Sequence, residues 1–334
     1  MMRLGFYSLG VALLLWTAAC SGVDGGSSDD FGTGQGTGGD GGAGGFGGSI
    51  NPSGGAGGDG GVLPNVDGSP GGSSQGCTAD TKYVYVVDSD NTMYRFDPAI
   101  NTKAAFSSLG KLACNAGSGT PNSMTVGRDG FAYVAYGHDD FNSADFWGCD
   151  GIFKVSIKDG SCVGKTAFKC GSAGFKKFGM GFSTDTAGGE AEGLYICDNL
   201  NAPSLGLLDL AAGTAAKKGN LPGIAEFTGN GKGELWGFFP GDSPPTISQV
   251  NKANGAILTS ISAGQLPPFG SSGAFAFAYW GGAFYIFYMT EPTDTSTNVW
   301  KLGTDGKLTK YISNTNLRIV GAGVSTCAPV EVPK

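Results

Sequence analysis

Histidine is almost missing from this 334-residue chain, with His138 the single one. That count excludes a metal cluster needing a second imidazole. No C-x-x-C pair occurs among the eight cysteines, which argues against a thioredoxin-like redox site or a zinc site. No G-x-S-x-G run lies between a strand pattern and a helix pattern, so no nucleophile elbow is written into the chain. Basic charge is also scarce: 21 Lys+Arg stand against 28 Asp+Glu, for a net charge of −7. Binding to a phosphate backbone needs a concentrated basic face, and none is visible. No stretch carries the apolar period of an amphipathic helix. Membrane-spanning helices need ~20 apolar residues, and Leu9–Ala19 is too short to be one. The apolar run 273–289 is split by Gly281-Gly282 and reads as a buried hairpin.

What the chain has in quantity is glycine, 62 residues, unevenly spread. Residues 21–76 hold 24 glycines and six aspartates but no Lys, Arg or Glu. Residues 77–334 are left with a net charge of only −2, so the acidity belongs mainly to the glycine-rich segment. A chain of that composition has too little apolar surface to offset the entropy of ordering, which predicts a disordered tether. Its r.m.s. reach would be roughly 40 Å. The remaining 258 residues are enough for one sizeable core, or two at most.

The first 19 residues read as a signal segment, with Arg3 before the apolar run. The run ends in Thr17-Ala18-Ala19-Cys20, which resembles the lipobox of bacterial lipoproteins, with Thr17 where that family usually has leucine. The resemblance implies cleavage before Cys20 and acylation of it. Two or three acyl chains anchor stably, at ~0.8 kcal/mol per buried CH₂. Ser21, rather than aspartate, implies sorting to the outer membrane or cell surface. The domain boundaries expected are 1–19 for the signal, 20–76 for the lipidated cysteine and tether, and 77–334 for the folded domain.

From Lys82 onward, short alternating runs are punctuated by Gly, Asp and Asn turns, the mark of hairpins. One strand–turn–strand motif recurs five times, beginning at Met93, Ile152, Leu205, Ile247 and Val299. Four copies follow a hairpin such as 123–136 or 275–289. The unit is therefore four antiparallel strands. The first copy lacks its leading strand, while Ile319–Thr326 is a leading strand with no successor. Joining the two completes a circle and removes sheet edges. Over residues 80–328 the pattern resembles β-propeller proteins, all-β, with five four-stranded blades closed by the C-terminal strand. With the lipobox and tether it is similar to propeller lipoproteins of myxobacterial-type genomes. Small residues on the leading strands (Gly179, Gly181, Ala276, Ala278, Gly321, Ala322, Gly323) are expected where strands crowd the axis.

Export makes disulfides the default for cysteines. Cys77 precedes the first strand and Cys327 follows the last, so a Cys77–Cys327 bridge would pin the ring shut. Cys114 and Cys162 flank outer strands of neighbouring blades and form a second candidate pair. Cys149, Cys170 and Cys197 have no assignment, and with Cys20 lipidated an odd cysteine stays free or pairs between chains.

The long loops fall on one rim, where binding usually lives. The richest is 137–151, with Asp139, Asp140, Asp145, Asp150, His138, Phe141, Phe146 and Trp147. Carboxylates beside aromatic rings suit sugars or an oxygen-liganded Ca²⁺, the one cofactor this pattern suggests. The ligand-binding candidates are Asp139, Asp140, Asp145 and Trp147, joined by the strand-end residues Asp88 and Asp198; no catalytic residue is assigned. A solvated insertion with turn-capping aspartates is the plainer alternative, and His138 is expected to have no special role. The expectation is a cell-surface lipoprotein binding a protein or glycan through the long-loop face, without nucleic acid. The alternative is a glycosidase or lyase pairing Glu226 with Asp88, Asp139 or Asp198 around the axis. A third reading is a structural envelope component.

Overall fold

The computed structural model describes residues 76–333 apart from 145, 201, 268, 270–272 and 291. Cys20, the signal segment, the glycine-rich segment to residue 75 and Asp145 lie outside the described residues. Three short 3-10 turns are the only helical pieces among those described. No described helix is long and apolar enough to cross a membrane.

Twenty strands form five four-stranded antiparallel sheets. The first sheet joins the two ends of the domain: β20 (Ile319–Val324), β1 (Val84–Asp88), β2 (Thr92–Phe96) and β3 (Phe106–Lys111), counted from the inside outward. The second is β4 (Thr120–Val126), β5 (Phe131–Asp139), β6 (Trp147–Ser156) and β7 (Cys162–Lys165). The third runs β8 (Phe178–Thr184), β9 (Glu192–Asp198), β10 (Ser204–Asp209) and β11 (Thr214–Asn220). The fourth is β12 (Glu226–Gly229), β13 (Leu235–Phe239), β14 (Thr246–Val250) and β15 (Ile257–Ser262). The fifth is β16 (Ala274–Trp280), β17 (Ala283–Met289), β18 (Asn298–Gly303) and β19 (Leu308–Ile312). The inner strands neighbour one another in the closed order β20, β4, β8, β12, β16 and back to β20. This is a five-bladed β-propeller, closed as the repeat pattern predicts.

Five hydrophobic clusters fill the five gaps between neighbouring blades. The alternation on β17 shows how one strand serves two of them. Tyr285 and Phe287 pack with Val84 and Phe96 of the first blade, while Phe284, Ile286 and Tyr288 pack with Trp236 and Phe238 of the fourth. A strand buried on both faces reads as a continuous apolar run, which is why 283–289 carries no polar residue apart from its tyrosine hydroxyls.

Near the axis the inner strands touch through backbone. A β-carbon on Gly321 would sit 2.9 Å from the Met124 nitrogen, and one on Gly323 would sit 2.7 Å from Thr125 Cα. Small residues are thus a packing requirement there. Threonine side chains also serve the inner-strand edges: Thr125 Oγ1 accepts from Phe182 N at 3.3 Å, and Thr228 Oγ1 from Tyr279 N at 3.1 Å.

The disulfides Cys77–Cys327 and Cys114–Cys162 are both present, the first across a sequence separation of 250 residues. Cys149 and Cys170, left open by sequence reasoning, form a third bridge, and Cys197 is free and buried. Replacing Cys77 and Cys327 together by alanine should lower unfolding stability by about 2–5 kcal/mol through the freed chain ends. A denaturant titration checks this; an unchanged midpoint would mean that β-pairing alone closes the ring.

Candidate functional site

Each inner strand enters the ring at the long-loop rim, so the residues at their starts surround the mouth of the axis. A cavity of about 230 Å³ lies there, lined by Asn122, Lys177, Asn199, Glu226, Phe269 and Phe275 among others. Two β-bulges shape it. Pro121 pairs with Tyr136 and Ser123 with Ala135, so Asn122 is the extra residue on β4. Val87 pairs with Gly321 and Asp88 with Ile319, which leaves Val320 as the extra residue on β20. Both extra residues line the cavity. A bulge re-aims a side chain that regular pleating would point elsewhere, and bulges gather beside functional sites for that reason.

Glu226 opens β12 and is 3% exposed. Ser123 Oγ donates to its Oε2 at 2.8 Å, reaching past β8 from β4, and the Met180 backbone N–H donates to the carboxyl as well. Burial pushes this carboxyl well above the usual range, more than those hydrogen bonds pull it down. Asn199 is held by its Oδ1, which accepts from Ala225 N at 3.0 Å and leaves the amide nitrogen as a donor.

Lys177 is half-buried one residue before β8, and burial lowers its ammonium pKa while the Asp139 charge opposes the shift. Its Nζ lies 4.1 Å from the centre of the Trp147 ring. The Cys149–Cys170 bridge ties the β5–β6 hairpin to the loop that delivers Lys177. Thus two predicted rim residues, Trp147 and Asp139, frame a lysine that sequence reasoning passed over.

The segment 137–151 is not the long open loop expected from sequence. His138 pairs with Gly148 and Asp139 with Trp147, so β5 and β6 continue as a tall hairpin whose loop is only 140–146. Glycine makes this possible: a β-carbon on Gly137 would overlap the Trp147 ring, and one on Gly148 the His138 ring. His138 Nδ1 and Asp150 Oδ2 are 2.7 Å apart. The hydrogen bond to Asp150 raises the imidazole pKa, so His138 has a defined partner after all. At the tip Phe141 and Phe146 are exposed, and Phe146 takes a left-handed φ of 55°.

The remaining candidates divide. Asp140 Oδ1 caps its own turn by accepting from Asn142 N at 3.0 Å. Asp88 accepts from Thr92 N at 2.8 Å and from the Tyr94 hydroxyl at 3.0 Å, and burial raises its pKa. Asp198 accepts from Leu200 N at 3.1 Å and Ala202 N at 3.4 Å. Both therefore serve as turn anchors at the ends of β1 and β9. Trp147 is buried, with its ring face covered by Lys177, and is not an open stacking platform. Among the described lining residues Glu226 is the only carboxylate, and neither Asp88, Asp139 nor Asp198 joins it in the cavity. Among the described residues no group of three or more His, Cys, Asp or Glu side chains is placed to hold a metal ion.

No protein-family model matches the chain, and no curated protein is similar to it in sequence. Several solved structures are similar to it in shape. A chain from a nidogen/laminin complex is 12% identical, with 72% of this chain and 97% of that one covered and a TM-score of 0.45. Regucalcin from Agrobacterium tumefaciens, described as a calcium-binding protein, is 12% identical over 66% of this chain and 68% of its own, with a TM-score of 0.39. A gluconolactonase from Xanthomonas campestris is 13% identical over 61% and 67%, with a TM-score of 0.36.

A buried acid that binds its proton more tightly when folded favours folding most at low pH. That contribution is complete below the unfolded carboxyl pKa and is lost as pH rises through the raised folded value. Stability should therefore decline with pH above the ordinary carboxylate range, and Glu226→Gln should flatten part of the decline. Asp88 and Glu192, also raised mainly by burial, supply the remainder. Parallel curves for the two proteins in a pH series of denaturant titrations would place Glu226 outside this dependence.

Proposed function

We propose that the protein is an exported lipoprotein, anchored through Cys20 at the outer membrane or cell surface. Its propeller binds a protein or glycan through the long-loop rim. The axial cavity carries this reading. Register shifts in two inner strands bring the extra residues Asn122 and Val320 into its lining. Its lining mixes the Phe269 and Phe275 rings with amide donors, an ammonium and a buried acid, the chemistry of a concave polar-ligand site. A glycosidase of the two-carboxylate kind needs a second acid facing Glu226. The turn contacts of Asp88 and Asp198 make them poor candidates for that role.

The anchor and the site are tested separately. Cys20→Ser should release the protein from the membrane fraction of the producing cell; retention would remove the lipoprotein part of the reading. For the site, the full-length protein is screened by thermal shift against oligosaccharides and peptides. A ligand at 100 times its dissociation constant adds ~2.7 kcal/mol. Asn122→Ala should abolish the shift while leaving the unliganded melting temperature unchanged, because the Asn122 side chain makes no hydrogen bond among the described residues. A shift that survives this change would put the ligand elsewhere.

A further inference from the structure

We infer that the axial cavity is built for the carboxylate of an acidic sugar, a hexuronate residue of a polysaccharide, with Lys177 as its cationic contact. This rests on the reading of the rim as a binding face and names its ligand class.

Lys177 is the only cation lining the cavity among the described residues, and its ammonium makes no side-chain hydrogen bond or salt bridge among them. The Trp147 ring holds its Nζ from one side, which keeps an ammonium in place without using its donors on an anion. Arg318 stands beside the same mouth, donating to the Gly273 carbonyl at 3.4 Å. Gly273 itself lines the cavity. Lys177 and Arg318 directly precede the inner strands β8 and β20.

The one acid in the lining does not cancel the Lys177 charge. Glu226 is buried away from water, receives donors from Ser123 and Met180, and is held toward its neutral form. A neutral carboxyl keeps one O–H to donate. The Asn199 amide nitrogen and Asn122 add further donors, as the hydroxyls and carboxylate oxygens of a sugar require. Phe269 and Phe275 offer apolar surface against which the C–H face of a sugar ring can lie. An acidic peptide side chain would satisfy Lys177 too. The amide donors and the rings have more to recognise in a uronate, which presents hydroxyls, a C–H face and a carboxylate together.

The full-length protein is titrated calorimetrically with three probes: trigalacturonate, galactotriose and a triglutamate peptide. Trigalacturonate should bind at least about tenfold more tightly than either of the others, and raised salt should weaken it. Lys177→Met should cost at least about tenfold in that affinity, while Lys177→Arg keeps most of it. Melting curves confirm that both variants are folded. Equal affinity for galactotriose, unaffected by Lys177→Met, would overturn the acidic-sugar inference and leave the rim-binding reading standing. Lys177-dependent binding of triglutamate without trigalacturonate would overturn it in favour of an acidic peptide. No binding of any probe would overturn it as well, and the wider reading would then rest on the Asn122→Ala screen.

Discussion

Backbone contact between the five inner strands is the constraint from which the rest of the molecule follows. At Gly321 and Gly323 the neighbouring strand lies where a β-carbon would have to be, so the ring tolerates almost no side chain at these points. Strands that close together cannot slide independently. Every blade is therefore placed by its two neighbours, and the five interblade cores are filled in a fixed geometry. Closure makes the arrangement complete: β20 pairs with β1, and the Cys77–Cys327 bridge fastens the ends beside that pair. An open ring would leave an inner edge unpaired, the vulnerability that antiparallel sheets must manage.

The cavity lies at the level where the inner strands begin. The bulges at Asn122 and Val320 lie at that level. The polar interior contacts lie there too. Ser123 reaches past one strand to Glu226, and this buried pair sets the floor of the cavity. A carboxyl without water favours its neutral form, so the floor lowers the negative charge of the mouth. The tall β5–β6 hairpin adds the wall. It is locked by Cys149–Cys170 and by aromatic rings laid over Gly137 and Gly148, and it turns Trp147 toward Lys177.

Much of the fold is legible in the chain because strand signals are local. Short runs of strand-forming residues, alternating or continuously apolar, with Gly, Asn or Asp at the turns, mark the hairpins without reference to their neighbours. The orphan leading strand at 319–326 requires a partner at the other end, and that topological need points to the Cys77–Cys327 pair. Cys149–Cys170 is not legible in this way. It depends on how far β5 and β6 continue to pair beyond Gly137, which turns an apparent loop into a strand.

The candidate site was legible only in outline. Aspartates at strand ends attract notice, yet Asp88 and Asp198 use their oxygens on their own turns, a contact visible only once the turn is built. Lys177 carries no motif; it matters because it directly precedes an inner strand and lies under Trp147. Asn122 becomes a cavity residue through a shift in pairing register with β5, which no property of Asn122 announces. The amino-acid sequence alone determined the strand repeat, the number of blades, the circular closure and two of the disulfides, because each follows from short-range patterning or from the need to leave no edge unpaired. Only the tertiary structure decided which polar residues meet, because their meeting depends on bulges, an extended hairpin and contacts across the ring between residues far apart in the chain.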